Sequence, residues 1–359
     1  GGHIYWWVEN DAANEISNAD LEAIAHVFDT RIYPETRALW GDEANPGFDG
    51  DSHIYGVFTN GLGATAAAYF SSDNSAPAGT VPSGNGHEMF MFNLDVLAYG
   101  IDIPSIASIV AHEFHHMIRH NLQPGMELWM NEGLSEFTQT YLFDDPGYAV
   151  FDFMYRPDTQ LNTWAEDGDL RGYHYGAALA WITYFYERYG IEALEQVAAA
   201  NSQRGLLAFD QVLQQMGEPG VNDLFADWVV ANAIYTLDDA GIYDYSIFWL
   251  LDGITPFVIP LDKIPATIAE SASQYANDPY TLSVANASTI EIALEAPSSV
   301  AIIPDGGENQ SRFMYSSRAD MGDSSLTRTF NLTGVENATL NFRRSEERRV
   351  GKECRSRWS

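Results

Sequence analysis

The chain has 359 residues, 46% of them hydrophobic and 13% aromatic, with 29 Gly and 15 Pro: a globular composition long enough for one large or two medium domains. Its formal net charge of −32 repels phosphate backbones and anionic headgroups, which argues against nucleic acid and membrane surfaces as partners. No apolar run reaches the roughly 18 uninterrupted residues that a membrane-spanning helix needs.

The two ends are read separately. Residues Arg344 to Ser359 resemble translated sequencing-adapter DNA and are set aside as a non-native tail. Without them 12 basic residues face 47 acidic ones, a balance of −35, and the only cysteine, Cys354, is gone. The remainder has no disulfide and no Cys-ligated metal, so any metal must be held by His and carboxylate. At the other end Gly1-Gly2-His3 runs at once into a strand-like segment, which reads as a cut N-terminus. With the acidic surface, this makes a secreted, extracellular protein the expected setting.

In chain order, β-rich runs at Ile4–Val8, Ile54–Phe58, Ala66–Phe70 and Met89–Asn93 surround one helical segment near Ala19–Leu39, predicting a twisted sheet with a helix on it. Helices follow. The first opens at Pro104 and ends before Gln123, with Ile106, Ile109, Val110, Glu113 and Met117 on one buried face. A second runs from about Glu127 to Phe143, a third from near Tyr175 to Gly190, and further helical segments reach about Leu237. Beyond Ile264 alternation takes over at Thr281–Val284, Thr289–Leu294, Ser299–Ile303, Thr327–Leu332 and Ala338–Phe342. The expected organisation is α+β: a sheet-and-helix domain over 1–260, an all-β, sandwich-like accessory domain over 261–343, and the tail 344–359.

The chemistry concentrates in His112-Glu113-Phe114-His115-His116, an HExxH string on the first of these helices. Four residues turn a helix by about 400°, which sets His112 and His116 on one face, one turn apart, able to grip one ion. Glu113 beside them can take a proton from a water that zinc has acidified to a pKa of about 7. Five residues alone arise by chance in long helices, so the third ligand decides. Glu132, within Trp129-Met130-Asn131-Glu132-Gly133-Leu134-Ser135-Glu136 on the next helix, supplies it, given a helical hairpin. Glu136, one turn on, is placed to accept the other ring N–H of a ligand histidine, though a helix carboxylate is also at home on the surface.

HExxH followed by Asn-Glu-x-x-Ser-acid resembles thermolysin, and Trp-Met-Asn-Glu-Gly resembles the aminopeptidase N group; both are Glu-zincins. Tyr173-His174-Tyr175-Gly176-Ala177-Ala178 is similar to the Tyr-x-x-Gly-Ala segment of the aminopeptidases, whose tyrosine stabilises the oxyanion. That resemblance makes Tyr173 the first candidate for the role. His174 is the second, since thermolysin-like enzymes use a histidine there, and Tyr175 is within reach from the same turn. The layout from Ile4 to Leu237, with Asp49-Gly50-Asp51, Glu88-Met89-Phe90 and a C-terminal β region, resembles secreted bacterial peptidases of the hyicolysin type.

The resemblance implies a zincin-type sheet and helical active-site domain, Zn2+ as cofactor, and protein or peptide substrates laid against the strand Met89–Asn93. Two departures stand out. The interval before Glu132 is shorter than in either group, and the aminopeptidases' Gly-Ala-Met-Glu-Asn strand is absent, only loosely resembled by Gly86-His87-Glu88-Met89. Because that strand's glutamate binds a free amine, its loss implies an endopeptidase; the alternatives are an aminopeptidase-like exopeptidase or an inactive scaffold that binds surfaces or carbohydrate. His120 lies about 12 Å along the axis from His112 and is no ligand; Arg119 and Leu122 exclude the HExxHxxGxxH class. Asp49-Gly50-Asp51 offers carboxylates for Ca2+ but lacks EF-hand spacing, so turn chemistry is its simpler role.

Overall fold

The computed structural model describes residues 1–63, 66–97, 102–165, 167–200, 204–234, 241–244, 254, 257–261, 267–284, 289–297, 329–335 and 337–339. The chain is α+β. Strands β1 (Ile4–Val8), β2 (Ile54–Thr59), β3 (Ala68–Phe70) and β4 (Met89–Asn93) form a sheet in the order β1-β2-β4-β3. The first three in that order run parallel and β3 closes the row antiparallel to β4. A peptide was expected to lie against Met89–Asn93, but that strand is paired on both sides. The strand at the end of the sheet, next to the helices, is Ala68–Phe70 instead.

Between β1 and β2 the chain makes α1 (Asn18–Val27) and α2 (Tyr33–Trp40), joined without a break by a π-helical turn at Phe28–Ile32. Ser17 starts it with a reciprocal capping box to Asp20. Single-turn helices α3 (Ser72–Ser75) and α4 (Leu94–Leu97) flank β4. The alternation of β1, β2 and β4 turns Ile4, Ile54, Phe58, Phe90 and Phe92 inward, all essentially fully buried. Phe114 of α5 (Ile103–Leu122) meets this face, 5.5 Å from Phe28 and 6.3 Å from Phe90 between ring centroids.

With Phe114 anchored on the sheet, the neighbouring face of α5 turns toward α6 (Leu128–Phe143). Asp102 caps α5 by accepting from the Ser105 amide, and α6 stops at Asp144, which takes a left-handed conformation. His116 meets Glu132 and His112 meets Glu136, the running order of an antiparallel pair. The third helix of this layer, α8 (Arg171–Tyr189), starts four residues before the Tyr175 expected from sequence. It packs on α7 (Ala149–Tyr155) and α6 at close range: a Cβ on Gly133 would come within 2.8 Å of Ala178 and Ile182 side-chain atoms, and one on Gly176 within 2.0 Å of the Ala149 carbonyl.

Helices α9 (Ile191–Ala198), α10 (Leu206–Met216) and α11 (Val221–Ile234) complete the helical layer around Trp181, Phe209 and Trp228. The buried guanidinium of Arg119 donates to the carbonyls of Trp40 and Ala198, the last residues of α2 and α9, and so ties two helix C-termini to α5.

Beyond α11, β5 (Phe257–Leu261) pairs in parallel with β6 (Tyr280–Val284), which contains the expected Thr281–Val284 strand. Between them the chain returns to the helical layer, where Leu161 donates to the Tyr275 carbonyl and Asn277 to that of Pro157. Thr289–Leu294, expected as a strand, forms none and is exposed. Its alternation is real, but no described strand lies beside it to pair its backbone. The described parts of Thr327–Leu332 and Ala338–Phe342 likewise carry no strand, while Ser299–Ile303 and the tail 344–359 lie outside the described residues.

Candidate metal centre

His112 and His116 project from one face of α5 and Glu132 from the first turns of α6. Their Nε2, Nε2 and Oε2 atoms form a triangle with edges of 3.1, 3.3 and 3.5 Å. A tetrahedral zinc with ligands at about 2.0–2.1 Å spaces them roughly 3.3–3.4 Å apart. The Oε2 of Glu132 is buried, touches both imidazoles and makes no hydrogen bond, as expected of ligands aimed at a shared centre rather than at one another. Donor set and spacing therefore fit a divalent metal ion, and among the described residues no other group of three His, Cys, Asp or Glu side chains does.

The charges are matched within the cluster. Burial disfavours an imidazolium at His112, but its contact with Glu132 and the carboxylates of Glu136 and Glu113 overcome this and raise its pKa to about 9. His116 is raised for the same reasons, with Glu132 the main partner. Burial works equally against a charged Glu132, and the two histidines reverse it, holding the carboxyl well below its usual range. Glu136 goes the other way, up to about 7: burial leads, with the charges of Glu132 and Asp145 added. Its Oε1 stands 3.4 Å from the Nδ1 of His112.

Glu113 is buried beside the triangle, and its Oε2 accepts a 2.7 Å hydrogen bond from the backbone amide of Phe70 on β3. One carboxylate oxygen is thus fixed to the end strand of the sheet.

The two residues following Arg171 and Gly172 were expected to face the site ahead of a helix; instead they lie in the first turns of α8. Tyr173 sits under the Arg156 guanidinium, 5.4 Å from ring centroid to carbon. His174 lies against Trp164, ring centroids 5.7 Å apart and tilted by 43°, and burial lowers its pKa. Tyr175 is the residue of this turn that reaches the metal cluster. Its ring centroid is 6.5 Å from that of His112 and 4.7 Å from that of Trp164. Burial, then the charges of Glu132, Glu136 and Glu113, push its phenol far above the ordinary value, so the proton stays on. Helical period was the signal for it: Tyr175, Ala178 and Ile182 share one face, and the last two pack against Gly133 beside Glu132.

Ser135 was not singled out from sequence. It lies one turn past Glu132 on the same face, with its Oγ 3.2 Å from the Nδ1 of His116 and 2.7 Å from the Nδ1 of His115. His115 is fully buried, and burial, with the cationic Arg119 and neighbouring histidines, holds it well below the usual histidine range. The carboxylates of the Ca2+ candidate Asp49-Gly50-Asp51 are engaged by protein donors: Asp49 by the Asp51 amide, Tyr55 and His87, and Asp51 by His53.

No family model matches the chain, and no curated protein matches it.

Proposed function

We propose that this chain is a zinc-dependent peptidase of the Glu-zincin type that cleaves internal peptide bonds. The observation that carries the reading is the triangle of His112, His116 and Glu132 atoms, sized for a tetrahedral ion, with an intact buried glutamate beside it. When bound, zinc would lower the pKa of a coordinated water to about 7 and polarise a carbonyl oxygen. Glu113, one oxygen held by the Phe70 amide, keeps the other to receive the proton of the attacking water and pass it to the departing amine. The protonated phenol of Tyr175 donates to the oxyanion that forms on the carbonyl, in place of Tyr173 or His174. Glu136 holds His112 through Nδ1.

The substrate segment adds to β3, the strand that delivers the Phe70 amide, as a further strand of the sheet. An extracellular setting belongs to the same reading and rests on the acidic composition. The described helices include none long and apolar enough to cross a membrane.

The test is zinc content and casein cleavage, on the wild type and on Glu113→Gln, with and without a chelator. Expected are one zinc per chain in both proteins, cleavage abolished by chelation, and a loss of about 10²–10⁴-fold in the variant. Absence of zinc binding would overturn the ligand assignment; zinc bound without cleavage of casein or a broad peptide library would overturn the peptidase.

A further inference from the structure

We propose that Ser135 and His115 form a relay behind the metal centre that fixes the ring of His116 for coordination through Nε2, making both of them positioning residues. The inference rests on the metal-binding reading of the His112, His116 and Glu132 triangle.

An imidazole that ligates through one nitrogen carries its proton on the other. The Nε2 of His116 belongs to the triangle, so its Nδ1 is the donor, and the atom it meets is the Ser135 Oγ at 3.2 Å. A hydroxyl that accepts still has its own proton to place. Ser135 is fully buried, and the remaining partner at bonding distance is the Nδ1 of His115 at 2.7 Å. Ser135 therefore donates to His115, which must hold its proton on Nε2. Hydrogen bonds then run one way, from His116 to Ser135 to His115, and each member sets the orientation of the one before it.

His115 itself argues for a positioning role. It is fully buried, its Nε2 has no hydrogen-bond partner among the described residues, and its ring stands edge-on to Trp40 with centroids 5.5 Å apart at 79°. An apolar side chain would fill that place without the penalty of an unpaired buried N–H. The two ligand histidines are thus braced differently, His112 by the carboxylate of Glu136 and His116 by a neutral hydroxyl chain.

Competition with a chromophoric chelator measures zinc affinity on the full chain for the wild type, Ser135→Ala, His115→Leu and the double variant, with thermal melts of the metal-free forms checking the fold. Ser135→Ala is expected to bind zinc about 10–100-fold more weakly. His115→Leu loses less, and the double variant is no weaker than Ser135→Ala, because His115 acts only through the hydroxyl. Ring-nitrogen chemical shifts of the zinc-loaded wild type, which need no variant to fold, should place the proton on Nδ1 of His116 and Nε2 of His115. Unchanged affinity in Ser135→Ala, additive losses, or a proton on Nδ1 of His115 would each overturn the relay. A folded wild type that takes up no zinc would overturn the metal reading beneath it.

Discussion

Four carboxylates and imidazoles share a few ångströms at this centre, and each is tuned by its neighbours more than by its own chemistry. Before a metal binds, His112 titrates at about 9 and is a cation at neutral pH, paired with Glu132 and Glu136. On the proposed function, zinc would compete with that proton. The sign follows: uptake releases protons, so apparent zinc affinity should rise as pH climbs from 6 toward 9 and level off above it, measured by chelator competition across that range. A flat profile would mean that His112 is already neutral. On the same scale, Tyr175→Phe keeps the ring against Trp164 and His112 but removes the proton donor. It should lower kcat/KM by about 10²–10³-fold, while Tyr173→Phe stays near the wild type because that ring faces Arg156; peptide-cleavage kinetics on both variants decide between them. Sequence alone sufficed to group His112, His116 and Glu132, with Glu113 beside them, because helical period and residue type serve for groups a turn apart. It did not separate Tyr173 from Tyr175, since that choice depends on where α8 begins, and helix starts are weakly encoded when no cap residue marks them: Leu170, at the N-cap, makes no capping bond.

Among the elements, the helices around the centre are held by absences as much as by contacts. Gly176 lets α8 approach the backbone of α7, and Gly133 lets it approach α6, which sets Tyr175 beside His112. In Gly176→Ala the added carbon meets a carbonyl that cannot move without its helix. The expected cost is about 1–3 kcal/mol, read from the denaturant midpoint, together with reduced activity because Tyr175 is the adjacent residue. The long helices and the parallel strands were legible from period and from Pro, Gly and Asp punctuation. The order of the strands was not: β3 is a three-residue strand, too short for its alternation to announce that it, and not Met89–Asn93, ends the sheet. Nor did alternation suffice at Thr289–Leu294, where a strand pattern without a described neighbour yields no strand. Arg119, read from sequence only as a residue standing where the HExxHxxGxxH class has its glycine, joins α2, α5 and α9 through two carbonyls that no sequence pattern connects.

Across the whole molecule, the contacts differ sharply in how much chain they enclose. The sheet joins Ile4 to Ile54 and Tyr55 to Met89, and Arg119 reaches back to Trp40 and on to Ala198. The three side chains that could hold a metal ion, in contrast, all come from one helical hairpin between His112 and Glu132. Closing a short loop costs little entropy and is fast, whereas the sheet must wait for distant segments to meet. The hairpin is therefore placed to assemble early, and an ion that bridges its two helices would stabilise it before the rest has docked. Refolding of the full chain should accelerate when zinc is present from the start, in stopped-flow fluorescence, and should not do so for Glu132→Gln. The same locality means that a chain emerging during synthesis would hold a complete set of ligands once residue 132 has cleared, long before β5 and β6 exist, so that loading with metal need not await a finished protein.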